Sequence, residues 1–153
     1  MSHNNEYLKL DNQLCFSLYA CSRAISRMYR PLLDELGLTY PQYLVLLVLW
    51  EKEESTVKEL SEILDLDSGT LTPMLKRMEA AGLVQRKRSR EDERVVIVRI
   101  ADKGLALQHK AVCIPQALFA SSGMTLEQMT ELNRQVKAMM VHVHELYGTV
   151  AGE

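Results

Sequence analysis

The sequence predicts a mainly helical chain carrying one small β-hairpin. Three Thr-x-x-Glu/Gln boxes, at Thr39–Gln42, Thr56–Glu59 and Thr125–Gln128, each stand before a run with helical apolar spacing. A β-branched run, Arg94 to Ile100, follows the run Leu83 to Arg88 across the polar residues Ser89-Arg90-Glu91-Asp92-Glu93. At 153 residues, 47% hydrophobic and 25% charged, the chain has the size and make-up of one globular domain, residues 1–153.

Taken in order, the first helix is expected from about Leu10 to Leu36, capped near Asp11. Leu14, Leu18, Cys21, Ile25, Met28 and Leu32 form an apolar seam. A second stripe, Cys15, Tyr19, Ser22, Ser26 and Tyr29, is smaller and richer in hydroxyls, suited to lining a cavity or meeting a partner helix. An ordinary core-facing helix gives the same seam, and so does a dimer interface. Gly37 is a natural C-terminal stop. Thr39 then opens a helix to about Glu51, with Pro41 in its first turn, and the apolar run Tyr43–Trp50 marks that helix as buried. Thr56 opens a short helix to Leu64, with Leu60 and Ile63 facing inward. Asp67 or Ser68 caps a further helix to Ala81, closed by Gly82. Pro73 inside this helix costs it one backbone hydrogen bond. The joint Asp65-Leu66-Asp67 makes the pair a helix-turn-helix, and the hairpin after it completes a winged helix-turn-helix. A helix from Asp102 to about Ala120, bent at Pro115 and broken by Ser121-Ser122-Gly123, precedes a last helix from Thr125 to about Tyr147. Leu132, Val136, Met139, Met140, Val143 and Leu146 supply the last helix's apolar face. The expected organisation is a DNA-binding lobe at about 40–100 between dimerisation helices at about 10–36 and 102–147.

The formal net charge of −2 is unevenly spread. Residues 51–67 carry a net −5 and residues 68–95 a net +3. Such a chain is no general polyanion binder, but it can hold nucleic acid through that one basic segment. The eight-residue apolar run Tyr43–Trp50 is too short for a bilayer. Met1–Glu6 lacks the basic and apolar regions of a signal peptide, so a cytoplasmic protein without membrane attachment is expected. Three cysteines without a CxxC motif suit a reducing compartment. Cys15 and Cys21 lie about 9 Å apart along one helix axis, too far to bridge.

Within the basic segment, Ser68, Thr70, Thr72, Lys76 and Arg77 suit a recognition helix, and the Pro73 ring suits a thymine methyl. Arg86, Lys87, Arg88 and Arg90 add charge along the hairpin. Asp92, two residues from Arg94, can aim its guanidinium fork into a narrow minor groove. A solvated hairpin with a weak surface ion pair is the blander alternative.

Leu66-Asp67-Ser68-Gly69-Thr70-Leu71-Thr72-Pro73-Met74-Leu75-Lys76-Arg77-Met78-Glu79, then Gly82-Leu83-Val84, then Asp92-Glu93-Arg94, resembles the MarR family of dimeric winged-helix regulators over about residues 10–147. Leu14-Cys15-Phe16 with Leu38-Thr39-Tyr40-Pro41-Gln42-Tyr43 resembles its organic-hydroperoxide-sensing branch, OhrR. The resemblance implies that the helix Ser68–Ala81 enters the major groove of a palindromic operator. It implies that Arg94, oriented by Asp92, enters the minor groove.

On position alone, Cys15 reads as a small buried hydrophobe; the resemblance reverses that reading and makes it the redox sensor. A helix start lowers a thiol pKa, and the thiolate is what attacks a peroxide. Tyr19, one turn away, can touch Cys15. Tyr29 is 14 residues away, roughly 21 Å along the axis, and meets only the Cys15 of another chain. The resemblance assigns Tyr29 and Tyr40 of the partner subunit as hydrogen-bond donors to the reactive sulfur. The expected protein is therefore a homodimeric repressor without a cofactor or metal. An organic hydroperoxide oxidises it and a low-molecular-weight thiol resolves it as a mixed disulfide. The second cysteine of a two-cysteine branch would align near Ala120, which leaves Cys113 as the less favoured resolving thiol. Four other readings compete: a MarR-type regulator released by a small aromatic ligand, a thiol peroxidase, a zinc sensor, and a DNA-free scaffold, which leaves the Asp92/Arg94 hairpin unexplained. The peroxidase lacks any cofactor or phosphate-loop fingerprint. The zinc sensor is weak because His3, His109, His142 and His144 lack ligand spacing.

Overall fold

A computed structural model describes residues 5–148; His3 and most of the N-terminal segment read for a signal peptide lie outside the described residues. Two short 3-10 turns, Glu6–Leu8 and Leu10–Asn12, precede α1 (Leu14–Leu36), which starts four residues later than expected. Lys9 and Gln13 are both extended, and the Gln13 amide donates to the carbonyls of Lys9 (3.1 Å) and Tyr7, so the chain turns before the helix begins. Asp11 lies in the second 3-10 turn and caps nothing in α1. At the other end Gly37 takes a left-handed conformation (φ 69°), and the Leu38 N–H reaches back to the Leu33 carbonyl at 3.0 Å.

All three capping boxes form. Thr39 opens α2 (Tyr40–Lys52), Thr56 opens α3 (Val57–Leu64) and Thr125 opens α8 (Leu126–Tyr147). In each, the threonine hydroxyl accepts from the third helical N–H, and the Gln or Glu side chain accepts from the threonine N–H. α2 is the hub of the core. Its Val45, Leu46 and Leu49 are fully buried, and they pack in one cluster with Leu60, Leu71, Leu75, Met78, Val84, Val98 and Ile114. Each such side chain contributes about 1.5–3 kcal/mol by leaving water. Two residues expected inside face outward: Leu47 is 41% and Ile63 49% exposed. In α3 the inward stripe follows Val57, Leu60, Ser61 and Leu64, and Ile63 falls off it.

α4 (Ser68–Ala80) follows α3 across the expected turn, and β2 (Val84–Arg88) and β3 (Val96–Ile100) form the wing. The sheet has a third strand that the sequence did not suggest, β1 (Glu54–Thr56), in the order β1-β3-β2, all antiparallel. Glu53, at φ 65°, turns the chain out of α2 so that its carbonyl accepts from the Ile100 N–H at 2.9 Å. Three residues joining a strand already present leave little pattern in the sequence.

The expected single helix after the wing is three: α5 (Asp102–Ala106), α6 (Gln108–Ala111) and α7 (Cys113–Ser122). Pro115 has no N–H for the Ala111 carbonyl, and its ring excludes that carbonyl, so the break falls before the proline rather than at it. Gly104 fixes where α5 sits. A Cβ there would lie 2.3 Å from the Leu83 carbonyl oxygen, while the Gly104 carbonyl accepts from Trp50 Nε1 at 3.0 Å. α8 buries none of its residues in the chain, and Leu132, Met139, Met140, Val143 and Leu146 of its apolar face stay exposed. Among the described residues no single helix is long and apolar enough to cross a membrane.

Replacing Gly104 by alanine should force α5 away from the wing. We expect a loss of stability of about 1–3 kcal/mol in urea unfolding; an unchanged midpoint would show that the backbone approach is not required.

Candidate nucleic-acid interface and thiol site

Two elements make the first site. Asp67 caps α4: its Oδ1 accepts from the Thr70 N–H at 2.8 Å and its Oδ2 from the Thr70 hydroxyl at 2.9 Å. Buried Leu71, Met74, Leu75 and Met78 fix the roll of the helix. The opposite face carries exposed Ser68, Pro73, Lys76 and Arg77 beside half-buried Thr72. Thr70 is exposed, but its proton is committed to the cap. Pro73 leaves one carbonyl unserved within α4, and the helix runs on past it. Behind α4 the turn is tight: the Ser61 hydroxyl donates to the Leu66 carbonyl at 2.5 Å, and Asp65 adopts φ 51°.

The hairpin tip is tied by its own backbone, with Ser89 N–H donating to Val95 O at 2.8 Å and Val95 N–H to Asp92 O at 2.9 Å. Asp92 grips Arg94 on both prongs, Nε at 3.1 Å and Nη2 at 3.2 Å, and also accepts from its backbone N–H at 3.0 Å. The Arg94 side chain is nevertheless 91% exposed, a cation aimed into solvent and held there. Arg88 donates to the Glu93 carbonyl at 2.8 Å, while Lys87 and Arg90 stand exposed on the strand and tip. Arg86 differs from the expected free cation. Its guanidinium and its backbone N–H all bind Glu79 of α4. Glu79 is the residue that the sequence reading missed, and its only sequence signal was its spacing of seven from an arginine. A cleft of about 800 Å³ separates α3 and α4 from the wing, with Ser68, Thr72 and Arg94 on its walls.

The second site centres on α1. Cys15 is the second residue of that helix, in its first turn, exposed, with no side chain capping the N–H groups around it. Its place is thus closer to the helix start than the sequence suggested. Tyr19 is exposed and its ring lies 5.5 Å from the Arg23 guanidinium. Tyr29 is buried (6% exposed) and stacks obliquely on Tyr40 at 6.0 Å; Tyr40 meets Tyr43 at 6.1 Å, and Tyr43 meets the Trp50 edge at 6.3 Å. Burial first, and then Tyr40, pushes the Tyr29 phenol above its ordinary pKa, so it keeps its proton to donate. Tyr29 and Tyr40 floor an open cleft of about 230 Å³ along α1, with Leu18, Cys21, Ser22 and Ile25 beside them. Cys15 of the same chain does not line it. Cys21, which the sequence places in the apolar seam of the helix, does. Cys113 begins α7 half-buried, packed on the core near Tyr43. Among the described residues no group of three or more His, Cys, Asp or Glu is placed to hold a metal ion; His109 and His142 are exposed, and His144 lies 3.4 Å from Asp65.

Comparison with known proteins gives concordant findings. The family model for SarA/Rot transcriptional regulators matches residues 27–110. A Bacillus subtilis (strain 168) protein named organic hydroperoxide resistance transcriptional regulator is 50% identical over 145 residues, 95% of this chain and 99% of that one. Reduced AbfR bound to DNA, a Staphylococcus epidermidis protein, is 38% identical with a TM-score of 0.74, covering 92% of this chain and 98% of its own. AbfR in its disulfide form is 39% identical, covers 90% and 96%, and superposes less well, at 0.61.

The Asp92 carboxyl is held below its ordinary range by the Arg94 guanidinium and then by the Arg94 N–H. A depressed carboxylate stabilises the closed clamp above its unfolded pKa and loses that contribution as pH falls through the lowered value. The Arg94 Nε–H resonance should therefore hold its position as pH falls to the ordinary aspartate value of about 3.9 and move only below it. A midpoint at or above that ordinary value would mean that the clamp is not formed in solution.

Proposed function

The chain belongs to the MarR family of winged-helix transcriptional regulators, and we propose that it is a cytoplasmic, homodimeric repressor of organic hydroperoxide resistance genes that leaves its palindromic operator when Cys15 is oxidised. The observation that carries the reading is the separation within α1. A thiol in the first turn of α1 and a cleft floored by Tyr29 of the same helix and Tyr40 of α2 lie too far apart to meet, so in this reading two antiparallel copies of α1 complete each other's site. The 50% identity to a regulator named for organic hydroperoxide resistance supports the same chemistry. In this reading the helices at about 10–36 and 102–147 dimerise, and the bare apolar face of α8 is covered by the second copy.

The thiolate is the form of a cysteine that attacks a peroxide, and Tyr29 and Tyr40 of the partner subunit donate to the Cys15 sulfur. The thiolate attacks the terminal oxygen of an organic hydroperoxide. An S–O bond forms, the O–O bond breaks, and a proton completes the departing alcohol, leaving a sulfenic acid. A small thiol then displaces water and gives a mixed disulfide. Cys113 is a poorer resolving group because it packs against the protein's own core. The enlarged sulfur parts the tyrosines from α1, and the two winged lobes lose the spacing that matches successive major grooves. Ser68, Thr70, Thr72, Pro73, Lys76 and Arg77 read the major groove, Arg94 the minor groove, and Lys87, Arg88 and Arg90 the backbone. The better superposition on DNA-bound AbfR than on its disulfide form is consistent with a chain in its binding conformation.

Fluorescence anisotropy with a duplex from upstream of the protein's own gene tests this. Reduced protein should bind, organic hydroperoxide should release it, and dithiothreitol should restore it. Cys15→Ser should bind DNA and ignore the oxidant; release that persists in this variant would sink the proposal. Tyr29→Phe and Tyr40→Phe should each oxidise roughly tenfold more slowly, the worth of one hydrogen bond to a charged group.

A further inference from the structure

β2 is the outer strand of the wing sheet, so alternate N–H groups along it point away from β3 with no strand to receive them. Glu79, near the end of α4, meets one of these. Its Oε2 accepts from the Arg86 N–H at 2.8 Å, and its Oε1 accepts from Arg86 Nε at 3.3 Å and Nη2 at 3.1 Å. One carboxylate thus holds both the backbone and the side chain of the strand that carries the hairpin. The pair is partly shielded, with Arg86 at 22% and Glu79 at 39% side-chain exposure. Beyond it the hairpin reaches Arg94 with no other side-chain hydrogen bond to α4 among the described residues.

We propose that Glu79 is a positioning residue for DNA recognition: through Arg86 it fixes the wing relative to the recognition helix, so that Arg94 reaches the minor groove in register with the major-groove contacts of α4. This rests on the reading of Arg94 as the minor-groove contact. Glu79 itself faces the strand, and its ionised form would repel phosphate, so it acts through placement alone. The carboxylate is held ionised by the Arg86 backbone and side-chain donors. Placement of this kind has a signature that direct contact lacks. Removing the anchor abolishes the contribution of Arg94 without touching Arg94, so the two substitutions are not additive.

The test is a double-substitution cycle, Glu79→Gln, Arg94→Ala and both together, by anisotropy on the upstream duplex. A second duplex carries G·C pairs in place of A·T at the positions a hydroxyl-radical footprint assigns to the wing. Glu79→Asp, one methylene too short for the strand, and Arg86→Lys, which keeps charge but loses the fork, complete the set. Thermal melting confirms that each variant is folded. Arg94→Ala alone should weaken binding to the A·T-flanked duplex about tenfold. Glu79→Gln should do the same while changing affinity for the G·C-flanked duplex little. In the Glu79→Gln background, Arg94→Ala should cost less than about twofold. Glu79→Asp should behave like Glu79→Gln, and Arg86→Lys should fall between. Multiplying effects of the two substitutions, or equal losses on both duplexes, would overturn the proposal and leave the wing reading standing. An Arg94→Ala variant that binds as the wild type does would overturn both.

Discussion

An α-helix advances about 1.5 Å per residue, and that fixed rise governs this molecule. It holds Cys15 and Tyr29 of one α1 roughly 21 Å apart and keeps the thiol out of the cleft that Tyr29 and Tyr40 floor in its own chain. The aromatic series Tyr29, Tyr40, Tyr43 and Trp50 is built into the protomer's own packing, whereas Cys15 is left in solvent. A thiol near one end of the rod and phenols gathered near the other can meet only when two rods lie antiparallel. In the proposed dimer, the signal is therefore read at the interface itself, and a change in one sulfur is a change in how two chains fit.

The winged-helix lobe depends on a different device, a carboxylate at each joint. Asp67 caps α4, Glu79 ties it to the wing, and Asp92 grips the arginine at the tip. Hydrogen bonds from neighbouring donors lower the pKa of all three. Each joint is lost only as pH falls through a value below the ordinary carboxylate range, so none titrates near neutrality. The joints of the lobe therefore stay closed across the neutral range.

Much of this was legible in the residues because the governing interactions are local. A capping box spans four positions, and all three found in the sequence form. The Asp92–Arg94 clamp spans three positions. What escaped was set by contacts distant in sequence or by competing local geometry. The Gln13 amide bonds the preceding turn and delays α1 to Leu14, the first residue of the apolar seam. β1 exists because β3 offers it an edge. Ile63 and Leu47 are apolar residues on outward faces, which composition alone does not distinguish from core. Arg86 looked like one more cation until the fold placed Glu79 against it. In the thiol site, spacing alone says that Tyr29 cannot meet the Cys15 of its own helix; the roles given to Cys15, Tyr29 and Tyr40 are implied by the resemblance to OhrR-like regulators. The role of Cys21 as a wall of the cleft depends on how α2 lies across α1.

α8 has a bearing on how much of this protein a cell must hold. Its 22 residues bury nothing within the chain that carries them. If a second copy supplies its packing, association and folding are one equilibrium, and the folded fraction rises with total protein by mass action. Gene dosage then enters the response. A cell that dilutes the regulator on dividing then loses assembled molecules faster than it loses chains.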